Sequence, residues 1–223
     1  MSTKVEYKDS FGSIITEQQK DNLSEHFKLV YDSNTDKLKT RFHYFSKGVI
    51  NEGVYYMNPS EDILNVISQI DPSHRWGIMN DLQVINEYNV WRRNYFKNGE
   101  LSNLYSKEVF NKNGDYIAGI GYDNNDQPTR GCSKKFDLSN KKMIDEDGDI
   151  IGRFEKGDFI LFGHGSDGSF SAHSSNSDIF FKPYKTLQSF LDNEQDSFIM
   201  NLMTQEMKDY YLNFHPLVPP FLT

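Results

Sequence analysis

A single cysteine, Cys132, leaves no partner for an intramolecular disulfide, so no covalent staple holds this fold. No run approaches the about 18 apolar residues of a membrane-spanning helix. The opening stretch from Met1 to Ser10 is polar and has no apolar signal core. These absences point to a soluble protein of a reducing cytoplasm. Hydrophobic residues are sparse, at 37% of the 223-residue chain, and what replaces them is aromatic: 17 Phe and 13 Tyr. Each ring buries a large area, so the core is expected to rest on Phe and Tyr, and the length is ample for one. Motifs for catalysis are also missing, and no cofactor is expected.

Charge is unevenly spread around a net value of −8. Residues 51–90 carry one basic side chain against six acidic ones, residues 91–142 ten against six, and residues 143–223 five against thirteen. A mildly basic centre therefore lies between acidic flanks. An acidic surface repels nucleic acid and steers basic partners.

The central stretch organises the chain. Units beginning at Tyr95, Phe110, Tyr122 and Phe136 each open on an aromatic residue and close on a polar turn, with starts 15, 12 and 14 residues apart. Asn98-Gly99 and Asn113-Gly114 are strong hairpin signals, because a type I′ turn needs positive φ at both central residues. Asn124-Asn125-Asp126 is a weaker version. Together they predict an antiparallel meander.

Before it, Thr16 to Gln19 fits a capping box, opening a short helix to about His26. Phe27–Tyr31, Lys37–Phe45 and Val49–Met57 read as strands. Asn58 as N-cap and Pro59 at the first turn predict an amphipathic helix over 59–70. Residues 73–94 are ambiguous: Ile78–Leu82 suits a helix or a loop, and Val84 to Tyr95 reads best as one long strand entering the meander. After the meander, short strands flank a Gly148 turn, Asp158–Phe162 is a buried strand, Gly163–Ser177 is a loop and Ile179–Phe181 a last strand. A helical turn or two follows over 185–191. Phe198, Ile199, Leu202, Met203, Met207, Tyr210, Tyr211 and Phe214 form a helical stripe, ended by Pro216, Pro219 and Pro220. The expected fold class is α+β: an antiparallel β-meander of hairpins with a C-terminal amphipathic helix and one or two shorter helices packed on it. One domain over 1–223 is expected, with a subdivision near 72–90.

Three clusters carry chemistry-bearing residues. His164, Asp167 and His173 in the Gly/Ser stretch 163–178 are the alternative catalytic set, for a hydrolase or metal-dependent enzyme. Such a set needs geometry that adjacency does not supply, and the same residues also suit a polar turn. Asp145, Glu146, Asp147 and Asp149 lack the order of a calcium loop and suit either a solvated turn or contact with a basic partner. With Glu61 and Asp62 they form the expected partner-binding set. Trp91-Arg92-Arg93 with Tyr95 and Phe96 mixes bases and rings as nucleic-acid surfaces do, but on a strand these residues alternate faces, and no nucleic acid is expected.

The aromatic–Asp/Asn–x–Asn–Gly units at Tyr31, Tyr95, Phe110 and Tyr122 resemble the hairpin repeats of bacterial polymorphic-toxin immunity and antitoxin proteins of the MORN-variant kind, over about a third of the chain. Leu187–Leu191 is similar to the final helix of another immunity superfamily, the SUKH proteins. The resemblance implies a non-catalytic protein whose partner is a cognate toxin or effector. A self-assembling structural or phage-type β protein is the further alternative.

Overall fold

The computed structural model describes residues 3–10, 12–45, 48–144, 150–175, 186–192 and 198–222. Strands dominate: β1 (Thr3–Asp9), β2 (Ile14–Ile15), β3 (Glu25–Asp32), β4 (Leu38–Phe45), β5 (Val49–Tyr56), β6 (Trp76–Ile85), β7 (Tyr88–Lys97), β8 (Glu100–Phe110), β9 (Tyr116–Tyr122), β10 (Pro128–Asp137), β11 (Lys142–Ile144), β12 (Ile150–Arg153), β13 (Phe159–His164) and β14 (Phe170–Ser174). The helices are short: α1 (Glu17–Lys20), α2 (Ile63–Ile67), α3 (Leu187–Leu191) and α4 (Gln205–Tyr211), with a 3-10 turn at Phe198–Leu202. The hydrogen-bonded order is β14-β13-β10-β9-β8-β7-β6-β5-β4-β3-β1-β2, and β11 pairs with β12 separately. The chain divides into two units, the first Met1–Gln83 with Trp91–Ser106, the second Val84–Val90 with Lys107–Thr223.

The α+β expectation is therefore corrected to a mostly β fold. The stripe from Phe198 to Phe214 is not one helix. Thr204 accepts from Met207 N at 3.3 Å and starts α4 afresh after the 3-10 turn. A threonine hydroxyl competes for backbone donors and so favours caps over helix interiors. The helical period still reports burial correctly, because Ile199, Met203, Tyr210 and Tyr211 are all buried.

Other boundaries move for local reasons. The capping box at Thr16 forms, yet α1 ends at Lys20. The helix expected over 59–70 shrinks to α2, with Asp62 rather than Asn58 as N-cap, because Glu61 N bonds back to Asn58 O and closes a turn there. The long strand expected from Val84 breaks at Asn86-Glu87, both at positive φ (50° and 66°). No glycine announces that turn. The loop expected over Gly163–Ser177 is largely a hairpin in its described part: β13 runs to His164, a turn follows, and β14 returns over Phe170–Ser174. The Ile179–Phe181 strand lies outside the described residues. The Asn98-Gly99 turn forms as expected, with φ of 54° and 82°.

In the first unit β5 and β6 run parallel, Gly53 opposite Trp76 and Tyr56 opposite Met79, with α2 in the crossover. Side chains alternate between sheet faces. Phe42, Tyr55, Trp76, Ile78 and Phe96 share one face and pack with Ile63, Val66, Ile67 and Ile70. The Trp76 ring lies directly over Gly53, where a Cβ would come within 2.5 Å of it. In the second unit Phe136, Ile160, Phe162, Phe170 and Ala172 pack against Phe190, Ile199, Met203, Tyr210 and Tyr211.

Candidate functional site

Both helices of the first unit sit on one face of its strands: α2 by the cluster above, and α1 through Lys20, whose Nζ lies 4.8 Å from the Tyr7 ring centre. Tyr7 shares that face with His26 and Tyr44, whose rings stack at 4.8 Å. Burial lowers the His26 pKa.

The opposite face carries no helix among the described residues. Leu29 and Val54 form its buried floor. Over them stands a grid of rings and ions. His43 stacks on its cross-strand partner Phe27 at 4.8 Å, and Arg41 lies 5.7 Å above the same ring. His43 Nε2 meets Glu25 Oε1 at 2.6 Å, and Asn51 flanks the other ring nitrogen at 3.3 Å. Glu52, opposite His43 in register, pairs with Arg93 at 2.7 Å. Arg93 reaches it across Gly77, where a Cβ would run into the guanidinium, and also lies 5.3 Å from the Tyr95 ring. Tyr56 and Trp91 meet edge to face at 5.7 Å. Tyr31 donates to Glu6 at 3.0 Å, and burial with that neighbouring carboxylate pushes its hydroxyl pKa up to about 12. Phe45 and Val49 pair at the end of the hairpin and are 58% and 63% exposed. This surface is fixed by aromatic packing and charge-assisted bonds, and its rings and guanidinium groups are the kinds enriched in binding hot spots.

Trp91, Arg93 and Tyr95 thus share the open face, while Arg92 turns away and stacks 3.6 Å over the buried Tyr105 ring. The sequence showed the cluster but not which half of it faces outward.

The expected contact residues fall elsewhere. Asp145, Glu146, Asp147 and Asp149 lie outside the described residues. Glu61 accepts from Lys39 Nζ, Tyr55 Oη (3.0 Å) and Asn58 N (2.6 Å). The lysine, backbone and tyrosine donors hold its carboxyl pKa below the ordinary value, against burial, which raises it. Asp62 accepts from Leu64 N and Asn65 N as the α2 cap. Both carboxylates therefore have local structural partners.

The structure does not bring His164, Asp167 and His173 together. His164 is buried and its Nε2 donates to Tyr211 O at 2.8 Å. His173 is exposed on β14, opposite Leu161 in register, so it projects from the other face. Asp167 sits at the tip of the intervening turn and accepts from Ser169 N at 3.0 Å; the Ser169 side chain and this backbone donor lower its pKa. Among the described residues no three His, Cys, Asp or Glu groups converge as a metal site.

Sequence reasoning missed a buried cation in the second unit. Lys134 is fully buried and donates to Tyr210 O at 2.6 Å and Asn213 O at 2.7 Å, with the Tyr210 ring centre 4.1 Å away. These carbonyls close the C-terminal end of α4, where cations are favoured. Burial nonetheless brings the Lys134 pKa down to about 8, pushes the neighbouring Cys132 thiol up to about 11, and lowers the His164 pKa. A thiol held protonated is inert, while Lys134 and His164 tie the C-terminal segment to the sheet through the carbonyls of Tyr210, Asn213 and Tyr211. No protein-family model matches this chain, and no curated protein or solved structure is similar to it.

Proposed function

We propose that this chain is a non-catalytic protein-binding protein, an immunity protein that neutralises a cognate bacterial toxin or effector by masking its active site. The observation that carries the reading is the face of the first unit that no helix covers among the described residues, where Phe27, Arg41, His43, Phe45, Tyr56 and Trp91 form a ring-rich surface. Hot spots in protein interfaces are enriched in Trp, Tyr and Arg, and a surface already fixed by ion pairs loses little entropy on binding. The net charge of −8 favours a basic partner and an association that weakens with salt. The hairpin units resemble those of immunity proteins and are consistent with this reading.

The test is binding between the purified chain and the product of the gene adjacent to its own, measured for wild type, Trp91→Ala and Phe27→Ala. Loss of affinity in both variants with unchanged folding supports the proposal. Wild-type affinity in both, or no complex at low salt, contradicts it.

A further inference from the structure

The sheet has an open edge in the first unit. Strand β2 pairs with β1 only at Tyr7–Ile15 and Lys8–Ile14. It stops there because Thr16 turns the chain into α1, its hydroxyl accepting from Gln19 N. Among the described residues no strand lies beyond Thr3–Glu6. Asp9 N bonds to Ser13 O across the β1–β2 hairpin. In an antiparallel ladder alternate residues direct both backbone groups to the same side. The N–H and C=O of Thr3 and Val5 therefore point out along the edge that β2 leaves uncovered.

That edge borders a cleft of about 470 Å³ lined by Val5, Glu6, Tyr7, Ile14, Ile15, Glu17 and Lys28. Two of its apolar residues, Val5 at 40% and Ile14 at 72%, are exposed. Sheet edges are ordinarily blocked by charges or prolines pointing into the line of pairing. Here Lys4 is drawn onto one face by Glu6 (3.0 Å) and Asp36 (3.5 Å) and leaves the edge clear.

We propose that the β1 edge binds an extended segment of a partner protein as an added antiparallel strand, in line with β2, and that the segment reads basic–apolar–acidic from N to C. The direction follows from charge complementarity. A residue opposite Val5 is preceded by one opposite Glu6 and followed by one opposite Lys4. Opposite charges in such cross-strand positions stabilise pairing and like charges oppose it. The apolar residue sits beside Val5 at the mouth of the cleft. Backbone bonds supply affinity and the flanking charges supply register, as in other strand-addition modes. The edge adjoins the open face at Glu6, which accepts from Tyr31 there, but it uses none of Phe27, Arg41, His43, Phe45, Tyr56 and Trp91.

The test uses the full chain and two blocked synthetic peptides, one with repeating basic–apolar–acidic order and its charge-reversed twin. The first is expected to bind about two- to thirtyfold tighter than the second and to slow hydrogen exchange at the Val5 amide. Val5→Pro removes that outward N–H, a change edge positions tolerate, and is expected to abolish binding. The double variant Lys4→Glu, Glu6→Lys is expected to invert the peptide preference, which keeps the proposal testable if Val5→Pro does not fold. Equal binding of the two peptides, full binding by folded Val5→Pro, or an unchanged preference in the charge-swapped variant would overturn it.

Discussion

Replacing Lys134 by methionine separates the two things that side chain does. Its ammonium donates to the carbonyls of Tyr210 and Asn213 and presses against the Tyr210 ring. Methionine has similar length and no donor, so two buried carbonyls are left bare. Each unsatisfied buried group costs about 1–3 kcal/mol, and relief of charge burial offsets part of that. A net loss of about 2 kcal/mol at neutral pH is expected. The pH dependence is sharper. The folded-state pKa of Lys134, about 8, lies below the ordinary 10.5. Below about 8 both folded and unfolded states hold the proton and the penalty for burying the charge is fully present. Between the two values the unfolded state alone holds it, so wild-type stability rises with pH through this window by this term. The neutral amine keeps two N–H donors, enough for both carbonyls. The gap between wild type and Lys134→Met should therefore widen by on the order of 3 kcal/mol as pH rises from about 8 to about 10.5. Other titrating groups are common to both proteins; Cys132 also feels the Lys134 charge, but less than its own burial. Urea unfolding followed by circular dichroism across that range measures the gap. A gap that stays constant or narrows would refute the assignment of a buried, charge-bearing amine at this position.

Three further outcomes are expected. His164 is held neutral by burial, so its folded pKa lies below the ordinary 6.5; its contribution is complete above about 6.5 and fades as pH falls through that region, and His164→Gln, which retains a donor for Tyr211 O, should show a shallower acid limb in the same unfolding assay. Gly77→Ala should drive the Arg93 guanidinium off Glu52, costing about 1–3 kcal/mol and shifting the Arg93 Nε–H resonance; an unmoved resonance would contradict the crossing geometry. Glu87→Gly should raise stability, because Glu87 holds a φ of 66° that glycine adopts without the 1–2 kcal/mol or so charged to other residues; thermal melting should register an increase.

What the sequence disclosed follows from which signals are local. The Asn98-Gly99 turn was readable because its dihedral demand is met by residues that rarely serve otherwise. The equivalent turn at Asn86-Glu87 was hidden, since glutamate seldom takes the positive φ that Glu87 holds there. The stripe from Phe198 gave the buried face but not continuity, because the Thr204 cap and an unbroken helix share the same period. Trp91-Arg92-Arg93 was visible as a cluster, but its division between faces depends on strand register, which no local signal encodes. Lys134 was invisible as an anchor, for its acceptors lie 76 and 79 residues away. His164 and His173, near in sequence, project from opposite faces for the same reason of alternation.

The most direct test of the binding proposal is hydroxyl-radical footprinting of the chain alone and in complex with its adjacent-gene product. The account predicts that Phe27, Phe45, Tyr56 and Trp91 lose reactivity together in the complex, while Phe42, on the α2 side of the same sheet, does not change. Protection that spares these four side chains would contradict it.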